Sequence, residues 1–178
     1  MRRLKLLNER TLFRCYLIEM NIVLLQPEIP PNTGNVARLC AATRTTLHLI
    51  EPFGFKLDDA QLKRAGMDYW RQVTWQRWKS WAAFSEKITT TSKLWFVECD
   101  GPKLYSEVRF SAKDYLVFGR ETVGLPKQLL EQNRETWLRI PMFNAESRSL
   151  NLSNCAALVL FEALRQQGFT GEIPKQLT

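Results

Sequence analysis

Three polar, turn-rich segments of this chain carry the groups best suited to bind a ligand: residues 26–35, 118–126 and 139–154. Prolines stiffen the first segment, and Gly119 and Gly124 free the backbone of the second to fold around a ligand. The third is rich in short hydrogen-bonding side chains. Any one of them alone is typical of an ordinary turn and cap cluster. Because each follows an apolar run that suggests a strand, the three together predict one site at the carboxyl ends of a parallel sheet.

A helix is predicted at residues 33–43, after the two prolines of the first segment. Asn32 or Thr33 is placed to cap its start. Asn32, Asn35 and Arg38 recur at every third residue, which predicts that they share one helix face. That face would lie at the positive end of the helix, where a phosphate or a ribose binds well. A capped helix with a solvated polar face is the alternative.

Several familiar kinds of site are excluded by the sequence. It holds no GxGxxG after the first strand, no GxxxxGK[ST] and no GxSxG. The single histidine, His48, lies inside an apolar strand and is predicted to be structural rather than a base. The cysteines are too widely spaced for a zinc cluster, so no metal is expected, and they are interpreted as core thiols of a cytoplasmic protein: Cys15, Cys40, Cys99 and Cys155.

Apolar runs alternate with helical patterns along the chain, which predicts an α/β fold with a mainly parallel sheet. Strands are predicted at 21–26, 46–50, 94–98, 115–118 and 137–140, with 73–78 as a further candidate. Helices are predicted at 33–43, 58–66, 80–87, 127–132 and 153–167. The chain has 178 residues, which suits one domain. Residues 20–178 are interpreted as that domain and residues 1–19 as an N-terminal extension.

The charge and the hydropathy set weaker limits. A net charge of +7 is compatible with a polyanionic partner, although many soluble proteins are equally basic. The sequence contains no apolar window of the length that a membrane span needs, so no membrane span is expected. For the basic extension, a targeting peptide, a short extra helix and an upstream start codon all remain open.

The last predicted helix is apolar without a break from Cys155 to Phe161. A helix that is apolar all round is buried on all sides. In a chain of this length, a second subunit is the natural cover for its outer face, so a homodimer is predicted. Gly168 is well placed to end the helix.

Five stretches in combination carry a family resemblance: PEIPPNTGNVARLC from Pro27, LHLIEP from Leu47, KRAGMDY from Lys63, FGRETVGLP from Phe118 and RSLNLSN from Arg148. They resemble the SPOUT superfamily and, within it, the minimal one-domain tRNA (cytidine(34)-2′-O)-methyltransferases. The resemblance runs from about Met20 to about Phe169. It is specific because five separate stretches match in order.

The resemblance implies an α/β fold with helices on both faces of the sheet and a C-terminal deep trefoil knot. It implies a cytoplasmic homodimer that uses S-adenosyl-L-methionine (SAM) to methylate the ribose 2′-hydroxyl of the wobble nucleotide of tRNA. That nucleotide would be a cytidine or a modified uridine at position 34, in leucine tRNAs. The alternatives are a 2′-O-methyltransferase acting on rRNA and a non-catalytic module that binds RNA or SAM.

The resemblance also implies roles for single residues. Arg38 matches the arginine that acts at the 2′-hydroxyl, with Asn35 beside it. We expect its guanidinium to hold the adjacent phosphate and stabilise alkoxide character, because it does not readily accept a proton. Asp100 stands where many members carry a basic residue. Predicted cofactor contacts are Val97, Gly119, Glu121, Gly124, Ile140, Ser149, Leu150 and Asn154, and predicted RNA contacts are Asn32, Lys63, Arg64, Tyr69 and Arg148.

Overall fold

The computed structural model describes residues 19–56, 70 and 72–174. Seven strands form one sheet in which every pairing is parallel. In chain order they are β1 (Asn21–Leu25), β2 (Thr46–Ile50), β3 (Trp75–Trp78), β4 (Leu94–Val97), β5 (Lys103–Leu104), β6 (Tyr115–Phe118) and β7 (Trp137–Arg139). Across the sheet they run β3-β2-β1-β6-β4-β7-β5. All six predicted strands, including the further candidate, are confirmed, and only the two-residue β5 was not predicted.

In the described part of the chain, four α-helices cover both faces of the sheet: α1 (Pro30–Thr43), α2 (Trp81–Ser85), α3 (Lys127–Gln132) and α4 (Leu152–Gln166). The same residues include 3₁₀ turns at Tyr105–Glu107 and Arg134–Thr136. Alternate residues of the central strand explain the layering. Ile22 and Leu24 pack with α1 and α4 on one face of the sheet, whereas Val23 and Leu25 belong to the core on the other face, with α2 and α3. The predicted α/β architecture with helices on both faces is therefore confirmed.

The first helix begins three residues earlier than predicted. Pro30 and Pro31 occupy its first turn, which suits prolines because those backbone positions need no amide donor. Neither Asn32 nor Thr33 caps the helix, since Ile29 is the N-cap and makes no side-chain bond. All three residues of the predicted polar face lie on this helix, but Asn32 is buried at its start, whereas Asn35 and Arg38 are exposed.

The last helix agrees more closely with its prediction. Asn151 caps it, accepting a hydrogen bond from the Ser153 amide at 2.9 Å. Beyond its end, Gly168 adopts a φ of +66°, as predicted for a terminating glycine. Leu158 and Phe161 on this helix are 43% and 49% exposed, so the chain by itself leaves part of the apolar surface open.

The order of the last strands requires a chain crossing. Strand β7 lies between β4 and β5, although β4 and β5 are neighbours in sequence. The link between them therefore passes the end of β7. Gly101 lies at this crossing, where a Cβ would be 2.3 Å from the carbonyl carbon of Leu138. Arg139 secures the contact by donating hydrogen bonds to the Gly101 and Pro102 carbonyl oxygens at 2.8 and 2.9 Å.

His48 is a structural residue of β2, and two hydrogen bonds fix its tautomer. The Trp78 indole donates to Nδ1 at 3.1 Å, so Nε2 carries the proton and donates to the Asn21 side-chain oxygen at 3.1 Å. The ring packs against Phe84 and Tyr115. Burial lowers the pKa of His48 to about 4, which leaves it neutral.

The first expected result concerns this histidine. Because its pKa is near 6.5 when unfolded, the unfolded chain binds more protons as pH falls from 6.5 to 4. The contribution of neutral His48 to the free energy of unfolding is therefore fully present above pH 6.5 and is lost as the pH falls below it. Between pH 7 and 4.5, the free energy of unfolding should fall by about 2 kcal/mol more in the natural protein than in His48→Gln. Urea unfolding of both proteins measures the difference, and equal losses would contradict it.

Some predictions fall on residues that the structure does not describe. They are the helix at 58–66 and all but the last residue of the N-terminal extension. Within the described ranges, no helix is long and apolar enough to cross a membrane. The same part of the chain holds no group of three or more side chains that could bind a metal ion.

Candidate functional site

A cavity of about 530 Å³ opens at the carboxyl ends of β4, β6 and β7. Val97, Phe118 and Ile140 form its base at those strand ends, and Leu152 and Cys155 close it from the start of α4. Its volume lies within the usual range for a small-molecule site. The rest of its wall comes from the three polar segments: Ile29, Asn32, Gly119, Arg120, Glu121, Thr122, Val123, Gly124, Met142, Arg148, Ser149, Leu150 and Asn151, with Glu98 and Cys99 after β4.

A chain of hydrogen bonds joins the three segments across the cavity. Glu121 accepts bonds from the Glu28 amide at 2.8 Å, the Ile29 amide at 3.2 Å and the Asn32 side chain at 3.1 Å. Asn32 in turn accepts from the Asn151 side chain at 2.9 Å. The Glu121 carboxylate thus satisfies donors at the positive end of α1. Because Asn151 also caps α4, Glu121 and Asn32 link both long helices to the loop after β6.

A second carboxylate, that of Glu28 in the loop after β1, binds donors in the loop after β6. Glu28 accepts hydrogen bonds from Arg120, from the Thr122 hydroxyl at 2.6 Å and from the Thr122 amide at 3.2 Å. Bonding to Thr122 and then to Arg120 lowers the pKa of Glu28. The carboxylate of Glu28 thus accepts hydrogen bonds from the loop after β6, and that of Glu121 accepts them from the loop after β1. These bonds hold one side of the cavity in place.

The loop after β6 closes on itself at Gly124. The Arg120 and Gly124 backbones bond each other at 2.9 and 3.2 Å, and Gly124 has a φ of +69°. A Cβ on Gly124 would lie 2.2 Å from a carboxylate oxygen of Glu98, and one on Gly119 would meet the Gly124 backbone at the same distance. Glu98 also accepts the Leu125 amide at 2.9 Å. The close approach explains why glycine is needed at both positions.

The second expected result tests this loop with a matched pair of glycines. Gly124→Ala should cost about 3 kcal/mol or more, since strain at positive φ adds to the collision with Glu98. Gly168→Ala is the control, because its φ is +66° but nothing lies within 4 Å of its Cβ position; about 1 kcal/mol is expected. Thermal unfolding measures both. Similar costs for the two variants would refute the contact with Glu98.

The structure brings most of the predicted site residues together. The cavity wall includes Val97, Gly119, Glu121, Gly124, Ile140, Ser149, Leu150, Asn32 and Arg148. It does not include Asn154, which is exposed on the first turn of α4. Asn35 and Arg38 lie about 4.5 and 9 Å beyond Asn32 along α1, with their Cβ atoms tilted toward the cavity end of the helix. Lys63, Arg64 and Tyr69 fall outside the described residues.

Sequence reasoning missed several residues of the wall. Glu98 accepts the Leu125 amide of the loop after β6, and Asn151 accepts the Ser153 amide at the start of α4. Met142 follows Ile140 along one wall. Asn151 could have been found, because an asparagine just before a helical apolar run is a cap signal. Glu98 gave no signal, since a single acid at a strand end has many uses.

The prediction that the cysteines are core residues is confirmed for Cys40, which is 1% exposed, and was wrong for Cys99, which is exposed after the end of β4. Cys155 is half-buried on α4, where it packs against the core and, like Cys99, lines the cavity. Cys15 lies outside the described residues. Burial raises the pKa of Cys155 to about 11 and also raises the pKa of Cys99. Both are therefore thiols at neutral pH, and neither is an activated nucleophile.

The comparison with protein families decides the identity. Residues 19–161 match the model of the SpoU rRNA Methylase family. This chain belongs to that family. It is a methyltransferase, and the three segments that form the cavity all lie within the matched residues.

Similar proteins support the assignment at higher identity. The tRNA (cytidine(34)-2′-O)-methyltransferase of Saccharophagus degradans is 51% identical over 154 residues, covering 85% of this chain and 97% of the relative. A solved structure described as "Structural insights into the 2-OH methylation of C/U34 on tRNA" is 43% identical with a TM-score of 0.79, covering 85% and 97% of the two chains. AviRb from Streptomyces viridochromogenes, solved with AdoMet, shares the fold at 22% identity and a TM-score of 0.70, over 85% and 61%.

Proposed function

We propose that this methyltransferase transfers a methyl group from SAM to the ribose 2′-hydroxyl of nucleotide 34 of tRNA, a cytidine or a modified uridine. The observation that carries the proposal is the 51% identity to the tRNA (cytidine(34)-2′-O)-methyltransferase of Saccharophagus degradans, 97% of which is covered. Leucine tRNAs are the proposed substrates, following the family resemblance. The proposed setting is the cytoplasm.

The cavity fits SAM by its chemistry. Its strand-end base is apolar, which suits an adenine ring, and its wall carries two carboxylates, Glu98 and Glu121, and two guanidinium groups, Arg120 and Arg148, which suits the zwitterionic methionine part of SAM. SAM supplies the methyl group as a reactive electrophile. The chain's own groups then have to hold the acceptor oxygen in line and ease its proton away.

Arg38 and Asn35 are the proposed groups at the acceptor nucleotide. Both are exposed on α1, whose first turn contributes Asn32 to the cavity wall. An arginine there can hold a phosphate and stabilise negative charge on the 2′-oxygen. Among the predicted RNA contacts, Arg148 lies on the cavity wall and is exposed.

Two further parts of the proposal concern assembly and topology. Phe161 of α4 lines a groove of about 360 Å³ formed with the end of α1, and Leu158 is exposed three residues earlier on the same helix. We assign this surface to a homodimer contact. The insertion of β7 between β4 and β5 supports a C-terminal trefoil knot, as the resemblance implies.

Methyl transfer from labelled SAM to unmodified tRNA, followed by nucleoside mapping, tests the function. Label in a 2′-O-methylated nucleotide 34 is the expected result. The family description favours rRNA as the second candidate substrate, so rRNA is assayed in parallel. Label only in rRNA would overturn the tRNA substrate, and no transfer to either RNA by protein that binds SAM would leave a binding module.

A further inference from the structure

The large apolar side chains that stay exposed in the described residues fall into two groups. One group belongs to α4 and the segment after it: Leu158, Phe161, Phe169 and Ile173. The other belongs to the three cavity segments: Ile29, Val123, Phe143 and Leu150. The proposed dimer accounts for the first group only, so the rim of the cavity needs a separate explanation.

Phe143 differs from the other residues of the rim. Ile29, Val123 and Leu150 line the cavity, where they can contact a small molecule, but Phe143 does not. Its side chain is 99% exposed. Ile140 and Met142 line the cavity while Pro141 and Phe143 are exposed, so the ring stands on the outer side of the same wall. A ligand enclosed in the cavity would leave it uncovered.

The backbone next to Phe143 is held by a turn. The Asn144 side-chain oxygen accepts a hydrogen bond from the Glu146 amide at 3.0 Å, and its carbonyl accepts one from the Ser147 amide at 3.2 Å. The backbone that follows Phe143 is therefore held in a turn beside the cavity wall. An aromatic side chain on such a backbone loses less freedom when it binds than one on a mobile tail.

The surroundings of Phe143 indicate what covers it. Its loop neighbours Asn144, Glu146 and Ser147 are polar and exposed, and the exposed Arg148 reaches the cavity wall. The core of a subunit contact is depleted in charged residues and rich in apolar ones, unlike this loop. One aromatic ring among hydrogen-bonding side chains and an arginine is typical of single-stranded RNA recognition.

We propose that Phe143 stacks on an unpaired base of the RNA substrate next to the methylated nucleotide, while Arg148 contacts the adjoining phosphate. The inference rests on the proposed function, because it needs an RNA whose acceptor ribose enters the cavity. Stacking needs a π face, so it is independent of base identity but not of the aromatic ring. Phe143 thus helps to select unpaired over base-paired RNA.

Three variants of the full chain separate stacking from other roles: Phe143→Ala, Phe143→Trp and Phe143→Leu. With the RNA that the natural protein methylates, Phe143→Ala should raise KM for RNA by about 5- to 150-fold. Phe143→Trp should restore it, whereas Phe143→Leu should behave like the alanine variant because leucine keeps the apolar contact without the ring. The value of kcat and the Kd for SAM should stay unchanged.

Other outcomes would overturn the inference. An unchanged KM for RNA in Phe143→Ala, with an active natural protein, removes the stacking role but leaves the proposed function standing. Full restoration of KM by Phe143→Leu would replace base stacking with a simple apolar contact. A change of oligomeric state in Phe143→Ala, measured by light scattering, would assign the ring to a second copy of the chain. A natural protein that methylates no RNA fails the proposed function itself.

Discussion

Replacing Arg38 with alanine should lower kcat for RNA methylation by about 10²- to 10³-fold while the affinity for SAM stays the same. The residue is exposed on α1 beyond the cavity wall, so its loss should remove charge at the proposed acceptor position and leave the wall of the cavity intact. Single-turnover kinetics at saturating SAM and RNA isolate the chemical step.

Two further variants give this result its meaning. Arg38→Lys should recover only part of the rate, because lysine keeps the charge but not the planar fork. Arg109→Ala removes another exposed arginine that is absent from the cavity wall, and it should change the rate less than threefold. An Arg38→Ala protein that binds SAM and tRNA yet turns over normally would end the assigned role.

The second large effect is expected at Glu121. Three donors bond to the Glu121 carboxylate: the Ile29 amide and the Asn32 side chain at Oε1, and the Glu28 amide at Oε2. In Glu121→Gln, an amide oxygen in the Oε1 position keeps two of these bonds, but the NH₂ then faces the Glu28 amide. A hydrogen bond to a charged group contributes about 1.5–3 kcal/mol. Affinity for SAM should therefore fall by about 10- to 100-fold, which titration calorimetry measures.

Glu135→Gln is the matched control. Glu135 is likewise a hydrogen-bonded carboxylate, in this case paired with Lys103, but its side chain is 89% exposed, so the pair contributes little. This variant should bind SAM as the natural protein does. If Glu121→Gln also binds SAM normally, the bonds across the cavity do not hold it in shape.

The sheet could be predicted from the sequence because its strands are short apolar runs separated by helical patterns. The runs at 46–50 and 115–118 became strands with those same bounds. Strand order could not be predicted, since β1 pairs with β6, a strand more than ninety positions away. The start of α1 was missed because two adjacent prolines, Pro30 and Pro31, are typical of a loop, although they also fit the first turn of a helix.

The cavity was predicted in outline because ligands bind at the carboxyl ends of parallel strands. Its internal connections were not. Glu121 was expected to contact the cofactor, yet both its oxygens accept hydrogen bonds from the start of α1. Asn32 was expected to contact RNA, yet it bridges Glu121 and Asn151. Such pairings join residues about ninety or more positions apart, and sequence spacing carries no information about them.

The position of β7 also limits how the protein can mature on the ribosome. Both of its neighbours, β4 and β5, leave the exit tunnel before it does, because synthesis runs from the N terminus. Until Arg139 emerges, this side of the nascent sheet cannot be completed. The wall at Ile140 and the cap at Asn151 come later still. A chain truncated before β7 should therefore have no methyl-donor site, however well its first strands have paired.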